Sequence, residues 1–207
     1  NLMQPLISCL CPTRNHPDIT IKAIRCFQGQ TWENKELILV ADEDNPYIED
    51  LKKFTSENIK LFYAPKGSIL GAIRNISVDN AKGKYIAQWD DDNIHHRDRL
   101  SIQYNAIIHS KKEACFLKRV LIHDMTNGSK GISKAGRGIE STIVALKSAL
   151  PKYDPNTKIA EDLPARKFFM SNGRGIMINE PQLYIYNIHD NNTCEKINLR
   201  SMMDIVI

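Results

Sequence analysis

The first half of the chain alternates short apolar runs with amphipathic segments, and this alternation is the feature that most limits the possible folds. The apolar runs predict strands and the segments between them predict helices. Strand–helix alternation of this kind gives right-handed crossovers and a mostly parallel central sheet flanked by helices, so we expect an α/β fold. The predicted strands are Leu6–Cys11, Glu36–Ala41, Ile59–Tyr63 and Tyr85–Trp89, with helices starting near Pro17, Ile48 and Leu70.

Polar loops follow three of these strands, at Pro12–Asn15, Asp42–Asn45 and Asp90–Asp92. The carboxyl ends of parallel strands meet at one edge of a sheet, where open α/β sheets bind their ligands. Side chains alternate along an extended backbone, so we expect Asp90 and Asp92 on one face and Asp91 on the other. Three unpaired carboxylates in a cleft would be costly, and a hard divalent cation that also binds substrate phosphates would offset their charge. A solvated acidic turn is the alternative that the triplet alone leaves open.

The second half of the chain is less regular. We predict a helix from Asp98 to Ile108 and a mobile basic loop from Thr126 to Gly138. The segment from Ala114 to Ile122 is typical of one long strand or a strand pair. The later predictions are a short strand at Thr142–Ala145, a helix carrying Arg166 and Phe169, and strands at Gly175–Ile178 and Gln182–Ile188. We also expect a small second sheet towards the C-terminus. No repeat or linker divides the chain, so we expect a single domain over residues 1–207.

Composition limits the class of protein. A chain of 207 residues with 42% hydrophobic and 25% charged residues suits one soluble domain with a real core. Its formal charge of +4 is mild and predicts no nucleic acid partner. No apolar run approaches the roughly 18 residues of a membrane-spanning helix. Five cysteines without a CxxC pair indicate reduced thiols. We expect a cytoplasmic location, with peripheral membrane attachment and the oligomeric state left open.

Several motifs together resemble the family 2 glycosyltransferases, which have the GT-A (Rossmann-like) fold. The first strand with Pro12–Asn15 looks like the first strand and loop of that family. The segment Gly71–Asn75, followed by Ala81–Ala87, is similar to the approach to its metal-binding acids, here Asp90–Asp92. Near the C-terminus, Glu161-Asp162 resembles the acidic pair that holds the catalytic base, and Ile188–Thr193 resembles the closing histidine motif.

The resemblance implies a hexosyltransferase type of enzyme, which moves a sugar from a UDP-sugar donor to a hydroxyl of a glycan or glycoconjugate with inversion. It implies a divalent cation, Mn2+ or Mg2+, with Asp92 as the first ligand. Asp90 or Asp91 would reach the cation directly or through water while the other meets the ribose, and His189 is a further candidate ligand.

The resemblance also implies a nucleotide-binding half at about 5–93 and an acceptor-binding half at about 94–200. The implied nucleotide-binding residues are Pro12, Thr13, Arg14, Asp42, Arg74, Asp90 and Asp91. Ala41-Asp42 stands where the family often has two acids, which leaves the identity of the base open.

Asp162 is the implied general base, with Glu161 as second choice. We expect Asp162 at a helix start, where backbone N–H groups, the helix dipole and Arg166 would keep it ionised.

Structural roles are the open alternatives at these sites. Arg74 could neutralise the acidic cluster, Asp162 could simply interact with a helix dipole, and His189 could belong to a surface loop. Two other functions share the expected fold, a nucleotidyltransferase and a non-catalytic nucleotide-sugar-binding domain. In a nucleotidyltransferase we expect a glycine-rich basic loop after the first strand. The loop Pro12–Asn15 contains no glycine and does not fit that pattern.

Overall fold

A computed structural model describes residues 4–14, 17–136, 138–157, 159–192 and 196–206, arranged as two sheets with six helices among these residues. The strands are β1 (Ile7–Thr13), β2 (Lys35–Asp42), β3 (Ile59–Ala64), β4 (Tyr85–Gln88), β5 (Ile94–His95), β6 (Ala114–Leu117), β7 (Leu121–Asp124), β8 (Lys130–Ser133), β9 (Ile139–Leu146), β10 (Gly175–Ile178), β11 (Tyr184–Ile188) and β12 (Met203–Val206). The helices are α1 (Pro17–Gln28), α2 (Ile48–Lys52), α3 (Leu70–Asn80), α4 (Arg99–Ser110), α5 (Leu163–Ser171) and α6 (Lys196–Arg200), with short 3-10 helices at Lys147–Ala149 and Pro181–Leu183.

The larger sheet has the strand order β10-β6-β9-β4-β1-β2-β3. Its β1, β2, β3 and β4 are parallel, β10 is parallel to β6, and β9 runs antiparallel between β4 and β6. The expected α/β fold with a mostly parallel sheet is confirmed. β1 and β2 are buried along nearly their whole length because helices cover both faces of the sheet, as is usual for parallel strands.

Two apolar layers enclose this sheet. On one face Phe27 of α1 and Leu100 of α4 pack with Trp89. On the other face Ile73 of α3 and Phe169 of α5 pack in a second cluster. The helices that carry the predicted site residues are therefore anchored to the sheet by their buried faces.

The smaller sheet has the order β12-β8-β7-β11-β5. The segment between Ala114 and Ile122 forms two strands, as one of the expectations had it, but β6 and β7 lie in different sheets. The prediction of a mobile loop over Thr126–Gly138 is wrong in its centre, because β8 pairs with β7 and with β12. The polar sequence of β8 carries no strand periodicity, and its order comes from partners supplied elsewhere in the chain.

The acidic strand is shorter than predicted. β4 ends at Gln88, Trp89 and Asp90 follow in irregular backbone, and residues 91–92 form a turn. The alternation expected for Asp90, Asp91 and Asp92 therefore does not apply, because it requires extended backbone. Among the described residues, no helix is both long and apolar enough to cross a bilayer.

Candidate active site

A cavity of about 1210 Å³ opens at the carboxyl edge of the parallel strands. It lies between the loops that follow β1, β2 and β4, the N-terminal ends of α3 and α5, and residues of β9 and β11. The predicted site residues in its wall are Pro12, Arg14, Asp42, Arg74, Asp90, Asp91, Asp92, Glu161 and Asp162. Segments far apart in the chain thus contribute to one cleft.

Each carboxylate of the acidic triplet has a different partner. Asp90 Oδ1 lies 3.2 Å from Arg74 Nη2. Asp91 accepts a hydrogen bond of 3.1 Å from the Thr20 hydroxyl of α1. Asp92 Oδ2 lies 3.1 Å from His189 Nε2, beyond the end of β11. The turn after β4 therefore directs the three side chains towards three elements, which separates their charges.

Arg74 is the buried cation of the site. Its Nε donates to Glu161 Oε1 at 2.5 Å, while Nη2 reaches Asp90. Burial by itself would lower the pKa of Arg74, but Asp90, Glu161 and Asp162 raise it well above its usual range. For Asp90, burial is the larger effect and raises the pKa of its carboxyl despite Arg74. Arg74 thus joins the acidic turn to the acidic pair before α5.

Asp162 is the residue that precedes α5, so its expected position at a helix start is confirmed. Its side chain makes no capping hydrogen bond, and its Oδ2 accepts one of 3.3 Å from Gln88 Nε2. Burial raises the pKa of Asp162 to about 6, against the opposing charge of Arg74. Arg166 lies 2.9 Å from Glu140, across the cleft wall. Among the described residues, Asp162 therefore takes its support from Gln88 and the charge of Arg74 instead of from the expected capping N–H groups and Arg166, and the effect of the helix dipole stays a prediction.

The ends of β1 and β2 carry three of the predicted nucleotide residues, Thr13, Arg14 and Asp42. Arg14 donates two hydrogen bonds to Asp42, from Nε to Oδ2 at 2.8 Å and from Nη2 to Oδ1 at 3.1 Å. Arg14 also donates to the backbone carbonyl of Ser68. Thr13 is only 1% exposed, and its hydroxyl lies 2.9 Å from that of Thr20. Thr13 therefore acts on the site through Thr20, which in turn bonds Asp91.

Two functional candidates, Asn187 and Gln88, have no recognisable signal in the sequence. Asn187 donates through Nδ2 to the carbonyl of Asp92 at 2.7 Å, and its backbone N–H donates to Asn93 Oδ1 at 2.9 Å. The side-chain N–H groups of Gln88 lie between the carboxylates of Asp90, after β4, and Asp162, before α5. These side chains form hydrogen bonds with backbone groups or with other side chains of distant segments. No local sequence pattern predicts such bonds.

Comparison with known proteins identifies the family. The profile described as Glycosyl transferase family 2 matches residues 8–173, most of the chain. The chain belongs to glycosyl transferase family 2. The predicted family and transferase class are thereby confirmed.

The relatives and solved structures that resemble this family 2 chain differ from it in length. A putative colanic acid biosynthesis glycosyl transferase of Escherichia coli is 33% identical over 101 residues, covering 47% of this chain and 36% of the relative. The Staphylococcus aureus TarS structure with UDP-GlcNAc superposes with a TM-score of 0.74 at 14% identity, covering 90% of this chain and 59% of that one. A mannosyltransferase from Pyrobaculum calidifontis, solved with GDP-Man and Mn2+, gives 0.68 at 14% identity, covering 92% and 59%. The two structures support the GT-A fold, and the chain spans less than half the length of the curated relatives it matches.

The donor set of this family 2 chain suits a cation that binds together with substrate phosphates. Among the described residues, no three His, Cys, Asp or Glu side chains form a metal-binding group. Asp90 and Asp92 nevertheless face the cavity, and one or two carboxylates completed by phosphate oxygens and water are the usual Mg2+ arrangement. His189 Nδ1 accepts the N–H of Asn191 at 3.2 Å, so Nε2 carries the proton that faces Asp92. His189 here supports Asp92 by a hydrogen bond, and its role as a ligand stays a prediction that needs the other tautomer.

Proposed function

We propose that this chain transfers a sugar from a UDP-sugar to a hydroxyl of a glycan or glycoconjugate, with inversion and with Mn2+ or Mg2+ as cofactor. One observation carries the proposal: a single cleft is lined by Asp42 after β2, by Asp90 and Asp92 after β4, and by Asp162 before α5. Family membership supports the reaction class. The UDP-GlcNAc of TarS and the Mn2+ of the archaeal mannosyltransferase support the donor type and the metal.

In the proposed reaction, the acceptor oxygen attacks the anomeric carbon opposite the bond to the diphosphate. The new carbon–oxygen bond forms as the old one breaks, the electron pair of the old bond leaves with UDP, and the acceptor proton passes to an oxygen of Asp162. A bound divalent cation would stabilise the charge of the departing diphosphate as a Lewis acid. Asp92 and Asp90 would hold that cation.

Asp162 is a better general base than Glu161. The Oε1 atom of Glu161 is 2.5 Å from Arg74 Nε, and the side chain is 4% exposed, so a proton on it would break a buried ion pair. Asp162 has a pKa of about 6, close to the pH at which the enzyme would work, which is the range that suits general base catalysis.

The nucleotide would occupy the half at about 5–93, with Asp42, Arg14 and the Pro12 backbone against the base and Arg74, Asp90 and Asp91 near the ribose and diphosphate. The acceptor would enter over the half at about 94–200, where Glu140 and Tyr186 line the cleft. The biosynthesis named for the E. coli relative supports a polysaccharide or similar glycan as the product. A cytoplasmic location fits a nucleotide-sugar donor and remains part of the proposal.

The test is a screen of UDP-, GDP- and dTDP-sugars for Mn2+-dependent thermal stabilisation, followed by assays for free nucleoside diphosphate. We expect a UDP-sugar to stabilise the chain and to release UDP slowly with Mn2+, and faster with an acceptor. Asp162→Asn should keep donor binding and lose transfer by roughly 10²–10⁴-fold. The surface variant Asp50→Asn is the control, since Asp50 pairs with Lys53 on α2 away from the cleft. Release of pyrophosphate would indicate a nucleotidyltransferase, and binding without any release would indicate a non-catalytic domain.

A further inference from the structure

The buried side-chain amide of Gln88 connects two acidic parts of the cleft, Asp90 after β4 and Asp162 before α5. Gln88, the last residue of β4, is 1% exposed. Its Nε2 lies 3.4 Å from both carboxylate oxygens of Asp90 and 3.3 Å from Asp162 Oδ2. Arg74 bonds Asp90 and Glu161, so among the described residues the side chain of Asp162 takes its hydrogen bond from Gln88.

The carbonyl oxygen of the Gln88 amide is buried at an unusual cost in free energy. Within the described chain, Gln88 Oε1 is buried and has no hydrogen-bond partner. Buried polar atoms are nearly always paired, so an exception needs a physical reason. The reverse orientation of the amide would point Oε1 at three carboxylate oxygens, which is repulsive. The amide therefore leaves its oxygen unpaired so that its N–H groups can donate to the acids.

The backbone of Gln88 is held from behind. Arg99 Nη1, fully buried in α4, donates to the Gln88 carbonyl at 3.1 Å, and Gln88 lies opposite Leu10 of β1 in the parallel register. His95 Nε2 binds the carbonyl of Asp90 at 3.2 Å. Arg99 Nη1 lies 2.7 Å from His95 Nδ1, which fixes the proton on Nε2. The side chain of Gln88 thus extends from a fixed point towards Asp162.

We infer that Gln88 is a positioning residue that holds the carboxylate of Asp162 in place and ties it to Asp90. The inference rests on the proposed role of Asp162 as base. Gln88 donates to the ionised carboxylate, so it favours the form of Asp162 that can accept a proton, and it does so without adding a charge that would compete with a cation at Asp90 and Asp92.

The test compares Gln88→Met, which keeps the length of the side chain and removes both amide groups, with Gln30→Met. Gln30 is a matched control because it is also buried and, within the described ranges, its side-chain amide bonds only backbone groups, those of Cys26, His96 and Leu100. The readouts are the acidic midpoint of the pH profile of kcat/KM and the titration of the Asp162 carboxyl carbon by NMR, assigned through Asp162→Asn.

For Gln88→Met we expect both midpoints to rise by about one pH unit, which means roughly tenfold less ionised Asp162 at pH 5. The loss of transfer should be smaller at pH 8, where Asp162 is ionised in both proteins. Gln30→Met should lower the melting temperature and leave both midpoints unchanged. Gln88→Asn keeps the amide but is too short to reach Asp162, so it should shift the midpoints in the same direction and serves if Gln88→Met does not fold.

Unchanged midpoints in a folded Gln88 variant would overturn the inference, as would an equal shift in Gln30→Met. Absence of transfer by the wild-type protein would instead overturn the proposed function. The NMR titration needs no substrate, so it decides the contact between Gln88 and Asp162 in either case.

Discussion

Two carboxyl groups of the cleft, Asp90 and Asp162, are raised in pKa by burial although Arg74 lies beside them. At the scale of the residue this is a balance between desolvation, which disfavours the charge, and attraction to one shared cation. Arg74 is bonded to Asp90 and Glu161, so its effect on Asp162 is through space only. Asp162 is therefore the carboxyl that keeps a pKa of about 6 and can exchange a proton near neutral pH.

The raised pKa of Asp162 predicts a cost in stability that depends on pH. Folded Asp162 holds its proton up to about pH 6, whereas the unfolded chain releases it near pH 4. The penalty is thus absent below about pH 4, grows between the two values and is full above pH 6. We expect Asp162→Asn to raise the free energy of unfolding by on the order of 1–3 kcal/mol at pH 7.5 and by little at pH 4, measured by urea unfolding. A gain of equal size at both pH values, or a loss at pH 7.5, would contradict this.

At the scale of the element, α3 is packed closely against the loop that precedes Asp162. Gly71 N donates to the carbonyl of Thr157 at 3.3 Å, and a Cβ at residue 71 would lie 2.1 Å from the carbonyl oxygen of Asp154. One turn later, Asn75 exchanges hydrogen bonds with the backbone of Tyr153. These contacts attach the loop before Asp162 to the helix that carries Arg74.

Adding a methyl group at this contact should separate the helix from the loop. We expect Gly71→Ala to destabilise the protein by about 1–3 kcal/mol, as overpacking usually does, because the obstacle is backbone that cannot rotate away. Transfer should fall by more than the loss of folded protein explains, since Arg74 and Asp162 move apart. Gly136→Ala is the control, because no atom of the described residues lies within 4 Å of its added Cβ. The measurements are urea unfolding and transfer per folded molecule. Equal stability of the two variants would mean that the contact is not formed.

At the scale of the whole molecule, the cleft forms where the two sheets meet. Asp92 and Asn93 follow β4 of the larger sheet, while Asn187 and His189 belong to β11 of the smaller sheet and its end. Their hydrogen bonds join the acidic turn to the second sheet. In the proposed metal site few protein ligands, chiefly Asp90 and Asp92, would hold the cation, and diphosphate oxygens and water would complete its coordination.

This shortage of protein ligands predicts that UDP and Mn2+ bind cooperatively. We expect calorimetry to show UDP binding at least about tenfold tighter with Mn2+, and Mn2+ binding tighter with UDP by the same factor, as thermodynamic linkage requires. Asp92→Asn should abolish this coupling while metal-free UDP affinity changes only a few-fold, and Asp50→Asn should keep it. Coupling that survives in Asp92→Asn would remove Asp92 from the role of ligand.

The sequence by itself determined the strands β1 to β4, their parallel order of connection and the presence of acids at their carboxyl edge. Burial on both faces of a sheet imposes long apolar runs, and crossover helices impose their own period, so both leave a local record in the chain. The family motifs are of the same local kind. The sequence therefore predicts one cleft that contains Asp42, Asp90, Asp92 and Asp162.

The tertiary structure alone decided how these acids are partnered. The bond between Gln88 and Asp162 joins residues 74 positions apart, and the strand β8 depends on β12 for one of its two neighbours. The pKa of Asp162 depends on burial and on the charges of Arg74, Asp90 and Glu161, which no single window of sequence contains. The turn after Gln88 likewise directs Asp90, Asp91 and Asp92 to Arg74, Thr20 and His189. Contacts of this kind leave no periodic pattern, because each is satisfied by a single distant side chain.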